Sequence, residues 1–264
     1  MSSLSPSFPL RRILAVCVIA VGSVSSTVLA QVPESILNED PAVGSAPRIP
    51  DRVEGLNRFF FKFNDGFYRF ALRPISKGYA AVVPQPVRRG IGNFFNNLGY
   101  PTRLAGNLLE GEGKGALRET GRFLVNTTVG VAGFFQVADE IPELRVPPSD
   151  IGQAFATWGL GHGTYLVLPL MGPTSLRDGI GGGIGGVYLS PVKYLPEWEY
   201  SASARALDVI NESPELMKNY FNFTSSAIDP YAGLRDAFSA RRAQQVRERL
   251  STTPAPEPAA ATIK

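Results

Sequence analysis

The sequence predicts a mainly α-helical fold. Helix-start signals recur between residues 51 and 250, apolar residues there repeat at helical spacing, and the two-residue alternation of strands is nearly absent. A transmembrane β-barrel needs many alternating segments of about ten residues. No such series is present; only "TYLVLP", residues 164–169, reads as a short strand.

Residues 1–30 have the pattern of an export signal. Arg11 and Arg12 form its basic start, "ILAVCVIAVGSV" its apolar core, and "VLA" a small-residue cleavage site before Gln31. The core is shorter than the ~20 residues of a spanning helix. Cys17, the single cysteine, lies inside it, so the exported chain is expected to carry neither disulfide nor thiolate metal site. Residues 31–50, rich in Pro and polar groups, are expected to be an extended linker. Residues 251–264, ending in "TTPAPEPAAATIK", read as a disordered tail.

The helical domain between them starts at Asp51, which with Glu54 makes a capping-box pattern. Residues 87–98, 102–109, 112–127 and 199–212 are further helices by their spacing. Ser175 with Asp178 marks one more start, and Ser213-Pro214 and Asp229-Pro230 each put a capping residue before a first-turn proline. The first helix is unusual. At 100° per residue, Leu56, Phe60, Phe63, Phe67 and Phe70 fall within about 80°, with Phe59 beside them and Phe61 and Tyr68 far around the other side. Arg58, Lys62, Asp65 and Arg69 share a narrow polar strip. The apolar arc exceeds the stripe of an ordinary surface helix. It fits either a helix sandwiched in a core or one lying in a bilayer interface, where aromatic rings concentrate.

Composition narrows the function. Charged residues make up 19% of the chain, below the quarter usual for soluble domains, while apolar content is ordinary at 44%. Part of the surface is therefore expected to face something other than water. The net charge of +3 falls to about +1 without Arg11 and Arg12, and no basic patch interleaves with aromatics, which argues against a nucleic-acid partner.

Signals for catalysis are weak. His162, the single histidine, sits between two glycines, and no G-x-S-x-G elbow occurs. One histidine and no exported cysteine leave no zinc set. "GGGIGG", residues 181–186, formally matches a dinucleotide fingerprint but lacks the strand before it, and reads as closely packed or bending backbone. Asp139, Glu140 and Glu143 in "DEIPEL" read as a solvated loop. Arg235, Arg241, Arg242, Arg247 and Arg249 read as a solvated helix face, or one drawn to anionic headgroups.

Residues 151–176 contain no Asp, Glu, Lys or Arg, yet Gly152, Gly159, Gly161, Gly163, Pro169, Gly172 and Pro173 interrupt any regular span. Irregular backbone is not stable against lipid tails. It must be buried in protein or line a water-accessible cavity.

Four blocks, "VEGLNRFFFKFND", "LRPISKGYAAVVPQPVRRGIGNFFNNLGYP", "GRFLVNTTVGVAGFFQVA" and "DIGQAFATWGLGHGTYLVLPLMGPTSLRDGIG", together resemble the MlaA (VacJ) family in the same order. The resemblance implies a ring-like helical bundle embedded in the periplasmic leaflet of the outer membrane, with an amphipathic central channel. It further implies removal of phospholipids misplaced in the outer leaflet, their transfer to the periplasmic lipid carrier of the Mla pathway, and association with a trimeric outer-membrane porin. No enzymatic activity and no cofactor are implied. On this reading Asn64, Asn126, Thr127, Trp158 and Tyr165 are polar or amphipathic channel candidates, and Phe63, Leu166, Leu168 and Leu170 apolar ones. Gly159, Gly161, Gly163, Gly172 and Gly181 are candidates for a mobile ridge or hinge, and the Phe63–Asn64 block is expected to control opening. Relatives carry a lipidated cysteine at the mature N-terminus; this chain departs from that pattern and is expected to hold the membrane by its own apolar surface. The alternatives are a soluble periplasmic lipid carrier and a lipid hydrolase using His162.

Overall fold

A computed structural model describes residues 48–252. The export signal, the linker up to residue 47 and the tail from residue 253 lie outside the described residues. Among these residues the chain forms nine α-helices and one two-stranded hairpin. The mainly helical fold is as expected.

Helix α1 (Glu54–Phe67) runs through a π-helical turn (Tyr68–Leu72) into α2 (Arg73–Val82). The extra residue of the π turn falls just before Pro74, which cannot donate to the ladder. The predicted capping box does not form. Val53 occupies the cap position, and Asp51 instead accepts from Asn57 Nδ2 at 2.8 Å and from the Tyr231 hydroxyl.

Helices α3 (Gln85–Leu98), α4 (Tyr100–Leu109) and α5 (Gly113–Thr128) follow close to their expected bounds. After α5 the chain turns through Val131, Ala132 and Gly133, all at positive φ. This costly conformation is held by Ala132 N donating to Thr127 O and Gly133 N to Asn126 O, both at 2.8 Å. Short 3₁₀ turns at Val137–Glu140 and Pro142–Leu144 lead to α6 (Ile151–Thr157), whose N-cap Asp150 accepts from Gln153 N at 2.8 Å.

The expected strand is β1 (Tyr165–Leu168). Its antiparallel partner β2 (Gly172–Ser175) carries no alternation of its own and pairs Tyr165 with Ser175 and Leu168 with Gly172. Ser175 caps α7 (Leu176–Ile184) as predicted, accepting from Asp178 N at 3.2 Å. A π turn (Gly185–Leu189) and a 3₁₀ turn (Pro191–Tyr194) then lead into α8 (Trp198–Ser226).

At α8 the structure corrects the sequence reading. Ser213-Pro214 does not start a helix; Pro214 lies inside a continuous helix of 29 residues. Its missing N–H would have bonded the Ile210 carbonyl, and the Ser213 hydroxyl donates to that carbonyl instead, at 2.7 Å. Helix α9 (Pro230–Thr252) does start at Asp229-Pro230, where Asp229 Oδ1 accepts from the N–H groups of Tyr231 and Ala232, both at 3.1 Å.

The helical domain also reaches beyond its expected edges. Ile49, expected in the linker, is buried against the hairpin, where Tyr165 N donates to Pro50 O at 2.8 Å. In the packing, α4 lies on α5, α6 on α7, and α8 along α2 and α3. Gly181 permits the α6–α7 contact: a Cβ there would lie 2.6 Å from the Gly152 Cα. Among the described residues two apolar clusters form. One joins Tyr68 and Leu72 to Leu216, Met217, Tyr220 and Leu234; the other joins Ile49, Tyr165 and Val167 to Tyr231 and Phe238.

Candidate functional site

Helix α1 turns its broad aromatic arc outward. Leu56, Phe59, Phe63 and Phe67 are exposed, and Phe70 is 85% exposed. The face turned inward carries Phe61, Tyr68 and two buried asparagines, Asn57 and Asn64. Each asparagine grips strand β1 as a neighbouring strand would. Asn57 Nδ2 donates to Tyr165 O at 2.9 Å while its Oδ1 accepts from Val167 N at 2.8 Å. Asn64 Nδ2 donates to Leu168 O at 2.9 Å while its Oδ1 accepts from Leu170 N at 2.7 Å. The spacing explains the fit. Seven helical residues advance about 10.5 Å, and the three strand residues between the two grips advance about 10 Å. Tyr68 adds a hydroxyl bond to Leu170 O at 3.3 Å, so Leu170 is fixed at its positive φ of 64°.

Outward apolar and inward polar groups are not confined to α1. Exposed apolar groups extend from α1 to Ile75 and Val82 of α2, Leu117 and Leu124 of α5, Val129, Val131 and Phe135 beyond it, and Ile180 and Tyr188. Inside lie six buried asparagines together with Glu119, Arg177, Arg205, Arg242 and Arg249. No described helix is long and apolar enough to cross a membrane.

The buried charges surround a cavity of about 1040 Å³ lined by α3, α4, α5, α7, α8, α9 and the 139–150 connection. Six arginines line it (Arg103, Arg122, Arg145, Arg205, Arg241, Arg242), with six carboxylates (Glu119, Asp139, Asp150, Asp178, Asp208, Glu212). Phe95, Leu98 and Val146 add apolar wall. Three arginines are visibly paired. Arg103 Nε lies 3.1 Å from Glu119, Arg122 Nη2 2.6 Å from Asp139, and Arg242 bridges Asp150 at 2.8 Å and Asp178 at 2.6 Å. Arg242 thereby ties α9 to the N-termini of α6 and α7. Burial alone would push both carboxyls up, but the Arg242 guanidinium outweighs it and holds Asp150 and Asp178 below the usual range. Of the α9 arginines expected on a solvated face, Arg247 is exposed, but Arg242 and Arg249 are buried. Arg249 is 2% exposed and bonds Glu110 and Asn107.

None of the nine channel candidates lines this cavity. Tyr165 is fully buried in the second apolar cluster, and Asn64 serves the hairpin. Asn126 donates to Gln136 and accepts from Ala138 N, and Thr127 accepts from Asn97 at 2.9 Å. Phe63 and Trp158 are exposed, the latter with its indole N–H on Leu109 O at 2.8 Å. Leu166, Leu168 and Leu170 are half-buried along the hairpin. Gly159, Gly161 and Gly163 are exposed between α6 and β1, Gly172 closes the hairpin at φ 85°, and Gly181 is a contact glycine.

His162 Nδ1 lies 3.8 Å from Asp178 Oδ2. The one hydroxyl bound to that carboxylate, from buried Ser175, donates to Asp178 at 2.8 Å rather than to the imidazole. That arrangement caps a helix and does not activate a nucleophile. Among the described residues no group of three His, Cys, Asp or Glu could hold a metal.

Comparison with known proteins agrees with the four sequence blocks. Residues 49–245 match the family described as MlaA lipoprotein. The intermembrane phospholipid transport system lipoprotein MlaA of Haemophilus influenzae is 32% identical over 190 residues, 71% of this chain and 76% of that one. Its Escherichia coli K12 counterpart is 32% identical over 194 residues, 72% and 76% of the respective chains. A solved structure, described as "Structural basis for maintenance of bacterial outer membrane lipid asymmetry", superposes with a TM-score of 0.64 at 31% identity, covering 74% of this chain and 98% of that one. An inverted helical shell around a charged cavity, its aromatic first helix gripping a hairpin through paired asparagines, belongs to the MlaA lipoprotein family.

Proposed function

We propose that this protein is the outer-membrane component of an intermembrane phospholipid transport system, withdrawing phospholipids from the outer leaflet and so maintaining lipid asymmetry. One observation carries the reading: apolar side chains face outward around a polar, charged cavity. A phospholipid has a charged head and two apolar tails, so its path needs both surfaces together. On this reading the shell sits in one leaflet, its aromatic face among acyl tails. The reading assigns no reaction and no cofactor. It places a soluble periplasmic carrier downstream and a trimeric porin alongside, both supported by family membership alone.

Deletion of the gene tests it. Surface-exposed phospholipid and detergent sensitivity should rise, and the wild-type chain should restore both. The protein should also stay with membranes in carbonate and high salt. A deletion strain with unchanged surface lipid would refute the transport reading, and release of the chain by carbonate would favour a soluble carrier.

A further inference from the structure

One wall of the cavity carries a pattern that the ion pairs do not account for. On α8, Arg205, Asp208 and Glu212 are spaced by three and four residues, on one helical stripe, and all three line the cavity. Among the described residues, no carboxylate lies within ion-pairing distance of Arg205 and no cation within that distance of Glu212. Arg205 is 5% exposed; its Nη2 donates to Gly186 O at 3.0 Å and its Nε has no partner. A buried guanidinium with an unmatched donor is costly until an acceptor arrives.

Resting on the phospholipid-passage reading, we propose that this stripe is a headgroup site for a zwitterionic phospholipid, its phosphate held by Arg205 and its ammonium by Glu212, with Asp208 between them. Arginine suits the phosphate because its planar fork can meet two oxygens at once. Seven helical residues separate Arg205 from Glu212, about 10.5 Å along the axis. This span accommodates a phosphoethanolamine group with one side-chain contact at each end. A purely anionic head would meet the Asp208 and Glu212 carboxyls with no ammonium to pair with them.

The charge states agree. Burial and then Asp208 push the Glu212 carboxyl up to about 8, and burial lowers Arg205 against a partial offset from Asp208. Asp208 offsets only part of the burial effect on Arg205, whose Nε has no acceptor, and an ammonium beside Glu212 would favour its ionised form. Phe95, Leu98 and Val146 offer apolar wall in the same cavity for the tails.

The test is native mass spectrometry of the full chain reconstituted with equal phosphatidylethanolamine, phosphatidylglycerol and diacylglycerol. Wild type should retain phosphatidylethanolamine over phosphatidylglycerol by about tenfold, the size of one charge-assisted hydrogen bond. Glu212→Gln should bring that ratio to about one. Arg205→Gln should weaken both phosphate-bearing lipids about tenfold against diacylglycerol. A chemical arm needs no variant: N-acylated phosphatidylethanolamine, which lacks the ammonium charge, should lose the preference on wild-type protein. An unchanged ratio in Glu212→Gln, or full retention of the N-acylated lipid, overturns the headgroup site and leaves the passage reading intact. Wild-type protein that retains none of the three lipids sinks the passage reading, and this site with it.

Discussion

Glu212 stabilises the fold only while it holds its proton. Burial, with Asp208 one turn away, raises its carboxyl from an ordinary 4.5 to about 8. The native state therefore binds this proton more tightly than the unfolded chain does. The associated stability is fully present below pH 4.5 and is lost as pH rises through about 8. Glu212→Gln, which keeps the shape and cannot ionise, should melt close to wild type at the acid end and increasingly above it as pH climbs through that window. Thermal melts across the range check this, and a difference that stays flat would mean a solvated carboxyl. Arg242 is the opposite case: its charge is matched twice, by Asp150 and Asp178, and removing it would strand two carboxylates in the cavity wall. In the sequence these two residues look alike, each a charge on a helix. What separates them is which neighbours the fold supplies, and those neighbours lie 64 and 92 positions away for Arg242.

At the scale of elements, α8 shows how a local signal is overridden. Ser-Pro is a sound helix start, yet packing along α2 and α3 keeps the helix continuous, and the Ser213 hydroxyl takes up the carbonyl that Pro214 leaves free. A double-mutant cycle measures this compensation. Ser213→Ala should cost about 1 kcal/mol with Pro214 present. In the Pro214→Ala background, where Ile210 O regains an N–H partner, it should cost almost nothing; equal costs in the two backgrounds would mean the hydroxyl bond has no compensating role. Helix α1 raises a different question, because its arc of Leu56, Phe60, Phe63, Phe67 and Phe70 is readable in the sequence but its direction is not. A core helix and an interfacial helix share the pattern, and Asn57 and Asn64, flanking the arc, decide between them by taking the hairpin backbone as partner. Strand β2 was unreadable for a related reason, since "GPTS" becomes a strand only through pairing with β1. If the arc faces lipid, each ring contributes about 1.5–3 kcal/mol of attachment. Phe63→Asp with Phe70→Asp should then shift membrane partitioning roughly a thousandfold toward the soluble fraction. Carbonate extraction reads this shift, and a double variant that still pellets fully would place the arc away from lipid.

On the proposed reading, the whole molecule separates two jobs that no single helix could combine, holding the bilayer and enclosing a polar path. Residues for the first job recur at helical spacing and were largely visible in the sequence. Residues for the second come from six helices and one connection, and nothing local distinguishes a cavity-facing arginine from a solvated one. That is why the candidates drawn from the uncharged 151–176 segment lie at the hairpin or, for Trp158, against α4, rather than around the cavity. The division also makes the jobs separable by mutation. Ser190 and Val146 line the cavity and are half-buried, away from the aromatic arc. Ser190→Trp or Val146→Trp should narrow the path without touching the lipid-facing rim. Cells carrying either variant should show raised surface-exposed phospholipid at normal protein abundance and with normal membrane fractionation. The α1 aspartates should raise it while also releasing the protein from the membrane. Surface lipid that stays low with both tryptophans in place would move the path out of this cavity, toward the hairpin and its leucines.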